Sequence, residues 1–214
     1  MRLPAKPKEE HRLELGPDVI ERLIPHRRPL IMVDRVRGFE NGERPTLWAS
    51  RHISANEPVF DGHFPGLHLW PSVYTQEGLG QCTLILEVLL WLVERAEGHG
   101  GDAGAVCEAL ANLERGHRLH QSFDPEPSRL LETIGGAPPI GLNGSVQMRF
   151  IEPVFAGQLL EYCVRRTQRI EERFARSEVE ACVDGRLVAE GVLVGMVSEL
   201  PVLALPPTPS RPPR

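Results

Sequence analysis

The chain has 214 residues, 41% of them apolar and 25% charged, which is the make-up of a globular protein with room for one substantial core. A formal net charge of −5 and scattered arginines exclude the basic surface of a nucleic-acid binder, and no block of like charge forms an interaction tail. A membrane span is excluded too, because the most apolar run, Leu84 to Val93, is too short and carries Glu87.

The N-terminal segment has no apolar stretch of the signal-peptide kind, and residues 1–16 read as a flexible tail. Pro17 to Ile24 has the apolar spacing of a short helix, stopped by Pro25. Leu30 to Val36 is apolar and β-branched enough for a strand, with Asp34 and Arg35 as solvated strand-end charges. Phe39 to Glu43 is a turn, and Thr46 to Ile53 returns as a second strand. Next comes a tight loop, Asp61-Gly62-His63-Phe64-Pro65-Gly66, with one histidine between glycines and a proline. A long helix is expected from Ser72 to about Glu97, entered through Pro71 and ended before Gly98. Its middle is apolar almost all round, the mark of a helix enclosed by other structure. Gly78 and Gly80, inside the helix beside Glu77, point to close approach of another backbone there.

Between residues 98 and 139 glycine, proline and charge dominate, so this segment reads as an insertion, helical over Ala103 to Leu119 and adding little to a core. Four strands follow, Gly144–Ile151, Leu159–Ile170, Arg173–Val183 and Leu187–Val197, with Asp184-Gly185 as a two-residue hairpin turn. The proline-rich residues 199–214 are expected to be disordered. The order of elements gives α+β: a curved antiparallel sheet wrapped around one long central helix, in a single domain spanning 17–198. Cys82, Cys107, Cys163 and Cys182 lie far apart with no CxxC pair and read as reduced thiols, which points to the cytoplasm.

Three stretches together resemble the β-hydroxyacyl-acyl carrier protein dehydratases (FabZ/FabA-like), which have the hot-dog fold. Leu23-Ile-Pro-His-Arg-Arg-Pro-Leu-Ile-Met-Val-Asp-Arg-Val36 is similar to the family's opening LPHRxPFLLVDRV. Gly62-His-Phe-Pro-Gly66, Pro71, Val73, Glu77 and Gln81 fall at the spacing of GHFPGxPxMPGVxxxEAxAQ. Met148-Arg-Phe-Ile-Glu-Pro-Val-Phe-Ala-Gly157 resembles KFRxPVxPGD. Within the central motif His68 replaces a proline, Trp70 a methionine and Ser72 a glycine, and the insertion is longer than its counterpart in the family.

The resemblance implies dehydration of a 3-hydroxyacyl chain carried by acyl carrier protein, in fatty acid or polyketide biosynthesis, with no cofactor. It assigns His63 as the base that takes the C2 proton and Glu77 as the acid at the leaving hydroxyl. Those residue types suit the chemistry, because histidine titrates near neutrality and a glutamate in apolar surroundings can stay protonated. Ser72, at the helix start, offers a backbone N–H to the thioester oxygen, and Gln81, one turn beyond Glu77, lies on its face and orients it. Gly66, Trp70 and His68 complete the substrate-binding set, Trp70 as packing or acyl-channel wall and His68 as pocket wall or surface. His63 with His68, or His117 with His120, lacks a third ligand at metal spacing, so no metal is expected. The family's edge-to-edge pairing implies a homodimer or higher oligomer with His63 of one chain facing Glu77 of the other. Thioester hydrolysis on the same fold, and a non-catalytic subunit of a heteromeric dehydratase, are the competing readings.

Overall fold

The computed structural model describes residues 2–116, 125–134, 140–171 and 174–198. Its strands are β1 (Arg12–Leu15), β2 (Arg35–Glu40), β3 (Thr46–His52), β4 (Ile140–Phe150), β5 (Leu159–Ile170), β6 (Phe174–Val183) and β7 (Arg186–Ser198). Its helices are α1 (Pro17–Leu23), α2 (Ser72–Glu97), α3 (Ala103–Gly116) and α4 (Pro125–Ile134). The strands form one antiparallel sheet in the order β1-β2-β3-β5-β6-β7-β4.

Helix α2 packs on β3 to β7 on one side and on α1, α3 and α4 on the other. Three consecutive residues, Leu84, Ile85 and Leu86, are therefore all buried, which a helix with one covered face does not allow. A sheet curved around one long helix is the hot-dog arrangement. Pro71 is the N-cap of α2 and Gly98 its C-cap, so both ends fall where the punctuating residues place them. Asp184 and Gly185 have φ of 50° and 75°, the left-handed pair that a two-residue hairpin between β6 and β7 requires.

Five expectations need correction. Residues 12–15, placed in a flexible tail, form β1 against β2 and bury Leu13 and Leu15. The stretch before them is tied across the sheet, where Trp48 Nε1 donates to the Pro4 carbonyl at 2.6 Å and the Leu3 N–H to Glu180 at 2.8 Å. Four residues with two inward leucines are too short a period to stand out in a charged segment.

Leu30 to Asp34 is a loop, not a strand, and β2 begins only at Arg35. Its backbone groups are already committed: the Leu30 and Ile31 N–H groups to Arg27, the Met32 N–H and the Leu30 carbonyl to the Gln81 side chain. Asp34, in turn, is no free strand-end charge. Its two oxygens accept from Arg51 at 2.8 Å and from the His52 N–H at 2.7 Å.

The insertion supplies core. Val106, Ala109, Leu110 and Ile134 are buried, and Glu114 of α3 accepts the Gly16 N–H at 2.8 Å, fastening α3 to the entrance of α1. Gly78 and Gly80, finally, make room for side chains of the same chain. A Cβ on Gly78 would collide with the buried ring of Tyr162, with the Met32 carbonyl 3.2 Å away, and one on Gly80 would lie 3.1 Å from the Asn143 amide. His117, His120 and the proline-rich segment 199–214 lie outside the described residues.

Candidate active site

The histidine loop is built by backbone. Phe64 and Leu67 exchange N–H and carbonyl hydrogen bonds, both 2.8 Å, around Pro65-Gly66. Gly66 has φ of 80°, so the pair is a type II turn, with proline in second place and the one residue type that tolerates a left-handed φ in third. Downstream the loop is laced to the third motif. The Trp70 N–H donates to Val154 at 2.8 Å, the Ala156 N–H to His68 at 3.1 Å, and Leu69 and Phe155 pair as an isolated bridge. Two of the three recognised stretches thus meet.

His63 is half-buried, and its Nδ1 lies 2.9 Å from the Leu69 carbonyl. A carbonyl only accepts, so Nδ1 carries the proton and donates, and Nε2 is left as the basic nitrogen. His63, Trp70 and Ser72 line a cleft of about 390 Å³ with Phe150, Val154 and Val188. Trp70 is buried, T-shaped against Tyr74 and 5.9 Å from the Arg51 guanidinium, which is itself clamped by Asp34 and Glu57. Ser72 is the first residue of α2, so its N–H has no acceptor inside the helix. Its φ is not positive, and serine in place of the family's glycine costs nothing in backbone strain.

Glu77 is held by side chains. Gln81 is 1% exposed and fully used: its Oε1 accepts from the Met32 N–H at 2.8 Å, and its Nε2 donates to Leu30 at 2.7 Å and to Glu77 Oε1 at 2.8 Å. The same carboxylate oxygen lies 3.4 Å from Nε2 of His26, whose Nδ1 is buried without a hydrogen-bond partner among the described residues. Burial lowers the His26 pKa from its ordinary 6.5, against the pull of Glu77, and nearby Arg27 lowers it further. His26 was missed as a site residue. It lies in the first motif, but nothing in the sequence brings position 26 against position 77.

Glu77 and Gln81 line a second, smaller cavity of about 80 Å³ between α2 and the β4, β6 and β7 strands. The expected residues therefore fall into two groups within one chain. His63, Trp70 and Ser72 share one cavity; Glu77 and Gln81 share another. Gly66 and His68 are exposed and line neither, His68 lying against Phe60 with ring centroids 5.3 Å apart. Among the described residues no group of three or more His, Cys, Asp or Glu is placed to hold a metal ion.

Fold and site define a hot-dog protein of the dehydratase type. Residues 24–112 match the FabA-like domain model, which spans the first two motifs and α2. The FabZ 3-hydroxyacyl-(acyl-carrier-protein) dehydratase of Cronobacter sakazakii is 45% identical over 188 residues, 87% of this chain and 93% of that protein. The match to its Aeromonas hydrophila counterpart is 47% identical over 73 residues, 34% of this chain and about half, 48%, of that relative. Among solved structures, the dehydratase heterocomplex ApeI:P from Xenorhabdus doucetiae contains a chain with the same fold at a TM-score of 0.51, 14% identical, covering 84% of this chain and 90% of that one. The chain belongs to the FabZ family of 3-hydroxyacyl-(acyl-carrier-protein) dehydratases.

Proposed function

We propose that the protein eliminates water from a 3-hydroxyacyl thioester delivered on acyl carrier protein, within fatty acid biosynthesis, with His63 as base and Glu77 as acid. The observation that carries this reading is the polarity of the two groups. The contact with Leu69 leaves His63 Nε2 as an acceptor, while the Glu77 oxygen turned toward Gln81 and His26 leaves its other oxygen for a ligand. His63 Nε2 takes the C2 proton, and the electron pair of the C2–H bond moves onto the thioester oxygen as an enolate before it returns to form the C2–C3 double bond. The C3–O bond breaks, and the departing hydroxide takes the proton of Glu77. Enoyl thioester and water leave, with His63 protonated and Glu77 ionised until a proton is exchanged. The Ser72 N–H, at the positive end of α2, stabilises the enolate oxygen between these events.

The site is completed by a second copy of the chain. His63 and Glu77 line separate cavities, and β4 is an edge strand of eleven residues with Leu142, Val146 and Phe150 exposed. Phe64, Leu67 and Val73, beside the histidine, are exposed as well. Pairing of two such edges covers these side chains and gives two equivalent sites around a two-fold axis. All four cysteines are free, which supports a reducing, cytoplasmic setting.

The test is incubation with a panel of 3-hydroxyacyl thioesters while enoyl absorbance and free thiol are followed together. Enoyl product without thiol release is expected. Thiol release without enoyl product would assign hydrolysis instead.

A further inference from the structure

The cavity beside Glu77 continues along α2 to an ion pair that the elimination does not use. Gly80, Thr83, Leu84 and Glu87 follow Glu77 down one face of the helix and line it, and Ser177 of β6 faces them across it. Glu87 lies ten residues beyond Glu77, so its turn is about 15 Å deeper at the helical rise. One of its oxygens, Oε2, accepts from Arg166 of β5 at 3.1 Å. The other, Oε1, is buried and has no hydrogen-bond partner among the described residues. A methylene tail would leave that oxygen unpaired, at the cost any buried polar group incurs without a partner.

We propose that Glu87 is a specificity-determining residue that selects acyl chains carrying a hydroxyl group near their far end. The inference rests on the dehydratase reading for what enters the cavity, and on Glu87 for what its end recognises. Arg166 neutralises Glu87 by direct contact and Arg169 acts on it from further off, so Oε1 calls for a hydrogen-bonding partner rather than a cation. Arg166 is already engaged and does not call for a terminal carboxylate. A hydroxyl both donates and accepts, so it satisfies Oε1 whether or not the carboxyl is protonated, and burial does push the Glu87 pKa up against the opposing pull of Arg166 and Arg169. The buried Ser177 hydroxyl is a second polar group on the same cavity.

The experiment measures Kd for pantetheine thioesters of saturated acids in matched pairs, ending in a methyl or a hydroxyl, across a series of chain lengths. At the length that reaches Glu87 the hydroxyl-ended ligand binds at least about tenfold tighter to the wild type. The paired replacement Glu87→Leu with Arg166→Leu, which leaves no buried charge alone, abolishes that preference, while Glu87→Gln preserves it. Equal binding of both ligands at every length, or a preference that survives the double replacement, overturns the proposal. Enoyl formation from the corresponding 3-hydroxy thioesters is followed separately. If none is dehydrated while the binding preference holds, the dehydratase reading fails and the role of Glu87 stands.

Discussion

The loop that carries His63 and the turn of α2 that carries Glu77 reach a fixed geometry by opposite means. Around the histidine, main-chain groups make the contacts: the Phe64–Leu67 turn, the pairing of residues 68–70 with 154–156, and the Leu69 carbonyl on the imidazole. The side chains there are free to vary, and this chain has His68, Trp70 and Ser72 where the family has proline, methionine and glycine. Around Glu77 the contacts are made by the side chains of Gln81 and His26, so residue identity decides. A loop whose shape is set by backbone tolerates substitution beside its functional residue; a carboxylate set by neighbouring side chains does not.

The largest test of this contrast removes the two groups proposed to react. His63→Ala and Glu77→Gln each lower kcat/KM by about 10²–10⁴, the usual share of general acid–base catalysis, with circular dichroism and melting temperature preserved. Near-wild-type turnover in a folded His63→Ala protein would end the assignment. Mixing His63→Ala with Glu77→Ala chains under subunit exchange then asks whether the two regions meet between chains. Half the dimers become mixed, and one of their two sites is intact, so roughly a quarter of wild-type activity returns. Mixed dimers that stay inactive would place both residues in one chain's site.

Smaller effects follow from the supports. Gln81→Leu strands the buried Met32 N–H, at roughly 1–3 kcal/mol for a buried group left unpaired, removes the hydrogen bond to the partly exposed Leu30 carbonyl, and frees Glu77 to rotate. Denaturant melts and kcat should fall together. Ser72→Gly, on the backbone-held side, should change kcat less than threefold, because the N–H remains; a large loss would mean that the serine hydroxyl takes part.

The smallest effect concerns pH. His26 has a folded-state pKa below 6.5, so as pH falls beneath that value the unfolded chain binds a proton that the folded chain does not. Its contribution is therefore present above pH 6.5 and lost on acidification toward the lowered folded value. Unfolding of His26→Gln should depend less on pH across that window; identical slopes in the two proteins would show that His26 is not linked to folding.

Much of this arrangement was legible in the chain. Pro71 and Gly98 bound α2, Asp184-Gly185 sets the β6–β7 hairpin, and the spacing of Gly62 to Gln81 put His63, Glu77 and Gln81 in view together. What escaped depended on partners distant in sequence. Leu30 to Asp34 has strand composition, but its backbone is claimed by Gln81, 49 residues beyond Met32 and 51 beyond Leu30. In the insertion, the flanking glycines and prolines masked the apolar spacing of Val106, Leu110 and Leu113, which packs α3 into the core. Replacement of residues 98–139 by a flexible linker should accordingly give a protein that melts lower or fails to fold, not a neutral deletion.

The Tyr162 ring that fills the space above Gly78 gives the molecule an internal optical probe. The chain has two tyrosines, and the hydroxyl of this one is buried without a hydrogen-bond partner among the described residues. Burial holds its pKa well above the ordinary 10.0, so in alkali it forms phenolate only as the structure opens. Stability is then lost as pH rises above 10, because the unfolded chain gives up a proton that the folded chain keeps. In a rapid jump to high pH, phenolate absorbance should grow in two phases, and the slow one should track the rate of unfolding. Tyr162→Phe should remove the slow phase; its persistence would show that solvent reaches that ring without opening the sheet.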